Sequence, residues 1–245
     1  MAREGSGVPA YQDLAERLRH QIVGGELSPG EQLPVEPELS SQHGVSRSTV
    51  REALRLLSSQ NLIITTRGVA GGTFVAHPRP EQISEYLEAS LGLLARSDGG
   101  TVGALLEVRE LLEVPAAGLA ARRRTAAHLA DLRRTLEHPL DLPGNDRYPY
   151  NRDFHAVLLR AAGNPLLEVV TGPVFRVLNT RFLRDVAPAR FWKRVDEDHG
   201  RIIEAVQARD ASAAEETTAA HLRHLRSTYV RMARARRENE PDGLR

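Results

Sequence analysis

The residues with the clearest chemical purpose lie between Gly44 and Leu57, in the stretch GVSRSTVREALRLL. Arg47 and Arg51 are four positions apart, so a helix carries both guanidinium groups on one face. Each can offer a bidentate fork to guanine O6 and N7, or clamp a phosphate. Ser46, Ser48 and Thr49 bring hydroxyls to the start of the same helix, where its dipole also favours anions. Val50, Ala53, Leu54 and Leu57 form the opposite, apolar side. This division suits a helix that packs on its own domain and enters a DNA major groove with its first turns. Further on, Arg67 and Gly68 sit at an expected hairpin tip. Glycine leaves no side chain in the way there, so the tip can approach a minor groove.

A second group of residues has metal chemistry. Asn151 and His155 stand at i and i+4 on one helical face, and His199 and His221 fall on two later helices. A bundle can aim all four at one point. Three imidazoles and a side-chain oxygen suit a borderline divalent ion such as Zn²⁺ or Ni²⁺, with room for water or a ligand. The chain has nine histidines, and a buried histidine is also commonly a hydrogen-bonded core residue. Spacing alone leaves both readings open. Arg109 poses a similar pair of alternatives: an anchor for an anion, or an i,i+4 salt bridge to Glu113.

The elements that must hold these groups are readable from periodicity and punctuation. Tyr11, Leu14, Leu18 and Ile22 recur at helical spacing until Gly24-Gly25, and residues 1–9 read as a disordered lead-in. A short helix around Glu36–Gln42 ends at Gly44, which supplies a sharp bend. Ser46 caps the next helix, which is expected to run to about Gln60. Leu62–Thr66 and Thr73–Val75 are β-prone, joined by a flexible tip over residues 67–72. Three helices and a two-stranded wing make a winged helix-turn-helix.

After His77-Pro78-Arg79-Pro80 everything reads helical. The expected segments are 82–96, 101–123, 126–139, 147–162, 165–184, 188–208 and 210–238. Breaks fall at Asp98-Gly99-Gly100, Pro139–Asn145, Gly163-Asn164-Pro165 and Pro188. Thr125 and Asp210 serve as helix caps, and Pro173 is expected to kink its helix. The arginines from Arg223 to Arg237 read as a solvated face. The fold class is therefore mainly α. A winged helix-turn-helix occupies residues 1–76, a linker 77–81, and an all-helical bundle 82–240.

Composition narrows the function classes. The 245 residues carry a net charge of +1, and the first 78 hold 7 Arg against 8 acidic residues. DNA affinity must then come from where the arginines lie and not from bulk charge. The absence of cysteine excludes disulfides, thiolate metal sites and a cysteine nucleophile. No apolar run approaches the ~18 residues of a membrane span, so a cytoplasmic protein is expected.

The motifs together resemble a known family. Leu33-Pro34-x-Glu36-x-Glu38-Leu39, Gly44-Val45-Ser46-Arg47-x-Thr49-Val50-Arg51-Glu52-Ala53-Leu54 and Gly72-Thr73-Phe74-Val75 resemble the DNA-binding domain of GntR regulators. The helical remainder resembles the FadR-type effector domain, FCD. Its marks are Val108-Arg109-x-x-Leu112-Glu113, Asn151-x-x-Phe154-His155, Ala162-Gly163-Asn164-Pro165, His199-x-x-Ile202 and Ala220-His221-Leu222. The resemblance implies that Asn151, His155, His199 and His221 are the metal ligands. His43, His128, His138 and His224 match nothing. Three positions depart from the family pattern. Pro37 stands where relatives often carry a DNA-contacting Arg, Asn61 replaces a Gly before the first wing strand, and Asn151 replaces an Asp ligand. A neutral amide leaves the ion's charge uncompensated, so an anionic effector is expected to complete the site, with Arg109 as a second anchor.

The function expected is a repressor: a homodimer that reads a palindromic operator in double-stranded DNA and responds to a small organic acid. The competing reading is a metal-dependent hydrolytic enzyme. Against it, no catalytic residue stands out. Glu197 and Asp198 neighbour His199 in sequence, but adjacent helical positions point apart.

Overall fold

The computed structural model describes residues 8–68, 71–97, 101–137, 144–182 and 189–239. The expected breaks at residues 98–100 and Pro188, most of the 139–145 break, His138, and the lead-in before Val8 lie outside these residues. So do Val69 and Ala70 of the wing tip. The chain divides into two compact units, Met1–Arg79 and Pro80–Arg245.

The first unit contains α1 (Ala10–Val23), α2 (Glu36–His43), α3 (Arg47–Ser59), β1 (Ile63–Thr66) and β2 (Gly72–Val75). Gly24 ends α1 as its C-cap. Gly44, at φ 63°, turns the chain between α2 and α3 in the left-handed region that favours glycine. Ser46 then caps α3 by accepting a hydrogen bond from Thr49 N at 3.1 Å. Asn61 turns into the wing at φ 58°, a conformation that Asn tolerates. The strands pair antiparallel, Ile63 with Val75 through Thr66 with Gly72. The wing is stitched to the α1–α2 connection by Leu33 N to Thr73 O and Val75 N to Glu31 O, both 2.8 Å. Leu14, Leu18, Leu39, Val50, Ala53, Leu57, Ile63 and Val75 form one core. Leu54 packs at its edge.

Every regular element of the second unit among the described residues is a helix. The unit comprises α4 (Pro80–Ser97), α5 (Thr101–Arg123), α6 (Ala126–Arg134), α7 (Gly144–Ala161), α8 (Pro165–Phe182), α9 (Ala189–Gln207) and α10 (Ala211–Asn239). Helix α4 starts inside the stretch expected to be linker. Helix α6 stops five residues before Pro139, where the Thr135 hydroxyl donates to the Leu132 carbonyl at 2.6 Å. Thr125 caps α6 in a box completed by His128, and Asp210 Oδ1 accepts from Ala213 N near the start of α10. Pro173 lies inside α8, which continues to Phe182. Helix α5 packs against α7, α8, α9 and α10. Ala116, Ala117, Ala120 and Ala121 are all buried, and their small side chains let neighbouring helices come close. Trp192, the chain's sole tryptophan, is buried with Phe191, Leu178, Leu225 and Tyr229.

Candidate DNA interface and histidine centre

In the first unit the α3 side chains divide as the spacing predicts. Val50, Ala53 and Leu57 are buried, while Arg47, Ser48 and Arg51 are exposed. The Ser46 hydroxyl lies 2.7 Å from that of Ser48 and 2.8 Å from that of Thr49, so three hydroxyls crowd the helix start. Arg67 and Gly68 are exposed beside the wing, with Gly68 at φ 114°. One contact was not anticipated. Arg51 Nη2 meets Glu36 Oε2 of α2 at 3.2 Å, and its Nε meets Oε1 at 3.4 Å. Glu36 was visible in the motif, but nothing in its spacing tied it to a residue fifteen positions later.

In the second unit four helices converge on a buried polar centre. Helix α5 brings Arg109 and Glu113, α7 brings Asn151 and His155, α9 brings Asp198 and His199, and α10 brings His221. The three imidazoles are 2 % exposed or less. Their ring centroids lie 4.8–5.6 Å apart, and one nitrogen from each falls within 4.8 Å of the others. Phe154 stacks on His199 at a centroid distance of 3.6 Å. Asn151 is buried, and its Oδ1 has no hydrogen-bond partner among the described residues.

The electrostatics of this centre are set by α5. Arg109 and Glu113 are 0 % and 1 % exposed and form a two-point ion pair, Nε to Oε1 at 2.6 Å and Nη2 to Oε2 at 3.1 Å. Arg109 also lies over the Phe175 ring, 4.7 Å from its centroid. Glu113 Oε2 stands 2.8 Å from His155 Nδ1. Burial pushes the Glu113 carboxyl up, but Arg109 and then His155 outweigh it and hold it well below the usual carboxylate range. Burial pushes His155 down to about 4, against the opposite pull of Glu113. Burial likewise lowers His221, opposed by Asp198. The imidazoles of His155 and His221 are therefore neutral near pH 7, the form that binds metals.

Spacing along α9 says only that Asp198 and its neighbour His199 point apart. The structure shows that Asp198 reaches α10, with Oδ2 3.5 Å from His221 Nδ1. Its Oδ1 meets Arg194 and Arg201, each at 3.1 Å. Glu113 and Asp198 thus each face the Nδ1 of a histidine. Such carboxylates can orient a ring from outside, while on the other side of the His155 ring Nε2 lies 3.3 Å from Arg109 Nη2. An ion with bonds near 2.1 Å holds tetrahedral ligand nitrogens about 3.4 Å apart, so a modest closure of the rings makes the donors fit. Of the histidines outside the set, His128 belongs to the α6 cap and His224 is exposed.

A winged helix-turn-helix joined to a helical unit with a buried histidine centre defines a DNA-binding transcriptional regulator. Comparisons with known proteins agree. Residues 10–75 match the bacterial regulatory proteins of the gntR family, and residues 104–224 match the FCD domain. The chain belongs to the GntR family, in the branch that carries an FCD domain. It is 35% identical over 211 residues to the HTH-type transcriptional regulator LutR of Bacillus subtilis, covering 83% of this chain and 94% of LutR. It is 29% identical over 206 residues to the galactonate operon transcriptional repressor of Escherichia coli, covering 81% and 87%. A solved Streptococcus agalactiae GntR structure shares the fold, with a TM-score of 0.55 and 23% identity over 89% of this chain and 99% of that one. Among the described residues no helix is long and apolar enough to cross a membrane.

Proposed function

We propose that this regulator is a repressor whose helical unit binds a divalent metal ion and, through it, a small carboxylate that controls operator binding. The observation that carries this reading is three buried imidazoles with mutually close nitrogens, beside an unpartnered amide oxygen. His155, His199 and His221 would hold the ion, with Asn151 as a weaker neutral donor. Zn²⁺ and Ni²⁺ suit this donor set. The bound ion supplies a positive centre that a carboxylate can ligate. Arg109 gives Nε and Nη2 to Glu113, and Nη1 is the edge it would offer to the anion. One relative is named for a galactonate operon, and galactonate is itself a carboxylate. Hydrolysis is not favoured, because the carboxylate beside His155 is already engaged by Arg109.

On the DNA side, Arg47, Arg51 and the hydroxyls of Ser46, Ser48 and Thr49 would meet the major groove. Arg67 and Gly68 would meet the minor groove. A homodimer would align two such helices on a palindrome. Exposed Ile83, Tyr86 and Leu93 on α4, and Leu166 and Val170 on the adjoining α8, support a subunit contact there.

The test is metal content by mass spectrometry after dialysis, for wild type and His199→Ala, with circular dichroism to verify folding. Roughly one ion per chain in wild type and a strong loss in the folded variant is the expected result. No metal in either discards the centre. A gel-shift titration with an organic-acid panel, with and without metal, then tests the effector.

A further inference from the structure

The three arginines of α3 are held in three different ways. Arg47 has no ion-pair partner among the described residues. Arg55 pairs with Glu52 of its own helix at 2.6 Å. Arg51 alone is tied across to another helix, through Glu36 at the first position of α2. The atoms used matter. A guanidinium has a side edge, Nε with Nη2, and an end edge, Nη1 with the outer hydrogen of Nη2. Glu36 occupies the side edge. The end edge, the fork that fits guanine O6 and N7, stays available. The pair is solvent-exposed, 55 % at Arg51 and 38 % at Glu36, and its geometry is set from the Glu36 side by the backbone. Glu36 sits at a helix N-terminus, where the dipole favours a carboxylate, and Pro37 behind it fixes the backbone.

We propose that Glu36 is a positioning residue for Arg51: it aims the end-edge fork at a base and cancels the charge that would otherwise seek phosphates. Glu36 then contributes sequence discrimination and not general affinity. This rests on the assignment of α3 as the DNA-reading helix. The consequence runs against simple electrostatics. Removing an acid from a DNA-facing surface should strengthen binding to every duplex. If Glu36 positions Arg51, its loss strengthens binding to unrelated DNA yet weakens the preference for the cognate sequence.

The probes are a duplex that the full-length protein itself enriches from a random-sequence library, and a base-shuffled duplex of equal length. Titrations at several salt concentrations compare wild type, Glu36→Gln, Arg51→Ala and the double variant, each verified as folded by circular dichroism. For Glu36→Gln the preference for the enriched duplex should fall at least about fivefold. Binding to the shuffled duplex should strengthen, with a salt slope steeper by roughly 0.9 per recognition helix as the freed Arg51 engages a phosphate. In the Arg51→Ala background, Glu36→Gln should leave the preference unchanged. An equal gain on both duplexes from Glu36→Gln overturns the proposal. So does a loss of preference that persists without Arg51, which would mean that Glu36 reads a base itself. If Arg51→Ala alone leaves the preference intact, the proposal fails while the DNA-reading role of α3 is judged separately by Arg47→Ala.

Discussion

Glu113→Gln isolates the electrostatic keystone of the helical unit. The substitution keeps the shape of the side chain and removes its charge. Arg109, 0 % exposed, then loses its only buried counter-charge on α5. Breaking one half of a buried pair costs about 3–5 kcal/mol, because the other charge is left uncompensated. Two features hold this case near the lower end. The glutamine oxygen can still accept from Arg109 Nε, and the Phe175 face still lies under the guanidinium. A loss of about 3 kcal/mol corresponds to a midpoint drop on the order of 6–12 °C for a unit of this size. Replacing both partners by apolar residues, Arg109→Met with Glu113→Leu, removes the stranded charge. What remains is His155 Nδ1 without its acceptor, about 1–3 kcal/mol. The double variant should therefore be no less stable than Glu113→Gln. Urea unfolding of metal-free full-length protein, followed by far-UV circular dichroism, measures both. A Glu113→Gln variant within about 1 kcal/mol of wild type would refute the argument. A double variant clearly less stable than Glu113→Gln would refute it equally.

Three further outcomes are expected. Arg47→Ala should cost about 1–3 kcal/mol of specific DNA binding in a gel-shift titration at fixed salt; unchanged affinity removes Arg47 from the interface. Gly44→Ala should destabilise the first unit by about 1–2 kcal/mol through its left-handed backbone alone, since an added Cβ meets nothing within 4 Å. Thermal unfolding reads this, and a neutral effect shows that the turn relaxes. The metal-free protein should lose stability as pH falls from about 6.5 toward about 4. His155 is held down to about 4 when folded, against 6.5 ordinarily, so in that window the unfolded chain binds a proton that the folded chain refuses. Denaturation midpoints that stay flat across the window contradict this.

Most of the first unit was legible because its determinants are local. Gly44, the Ser46 cap and the i,i+4 arginine pair each declare a geometry within a few residues, and the strands follow a recognisable turn. The histidine centre was not legible in the same way. His155, His199 and His221 lie on three helices, and only packing decides that they meet. Periodicity left them as possible core residues, and it was the resemblance to FCD domains that singled them out. Asp198 escaped for a related reason. Its place beside His199 follows from α9 alone, but the histidine it faces is on α10. The Arg51–Glu36 pair likewise joins elements whose separation the turn, and not either helix, determines. The overlong estimate for α6 came from treating Pro139 as the stop, when Thr135 begins a turn earlier.

The placement of Trp192 has a practical consequence. It is the chain's one indole, and it lies in the core of the helical unit. Its fluorescence follows melting of that unit and is blind to loss of structure around α1–α3. Emission and a global backbone signal recorded together would therefore separate the unfolding of the two units in one sample, without labels or truncation.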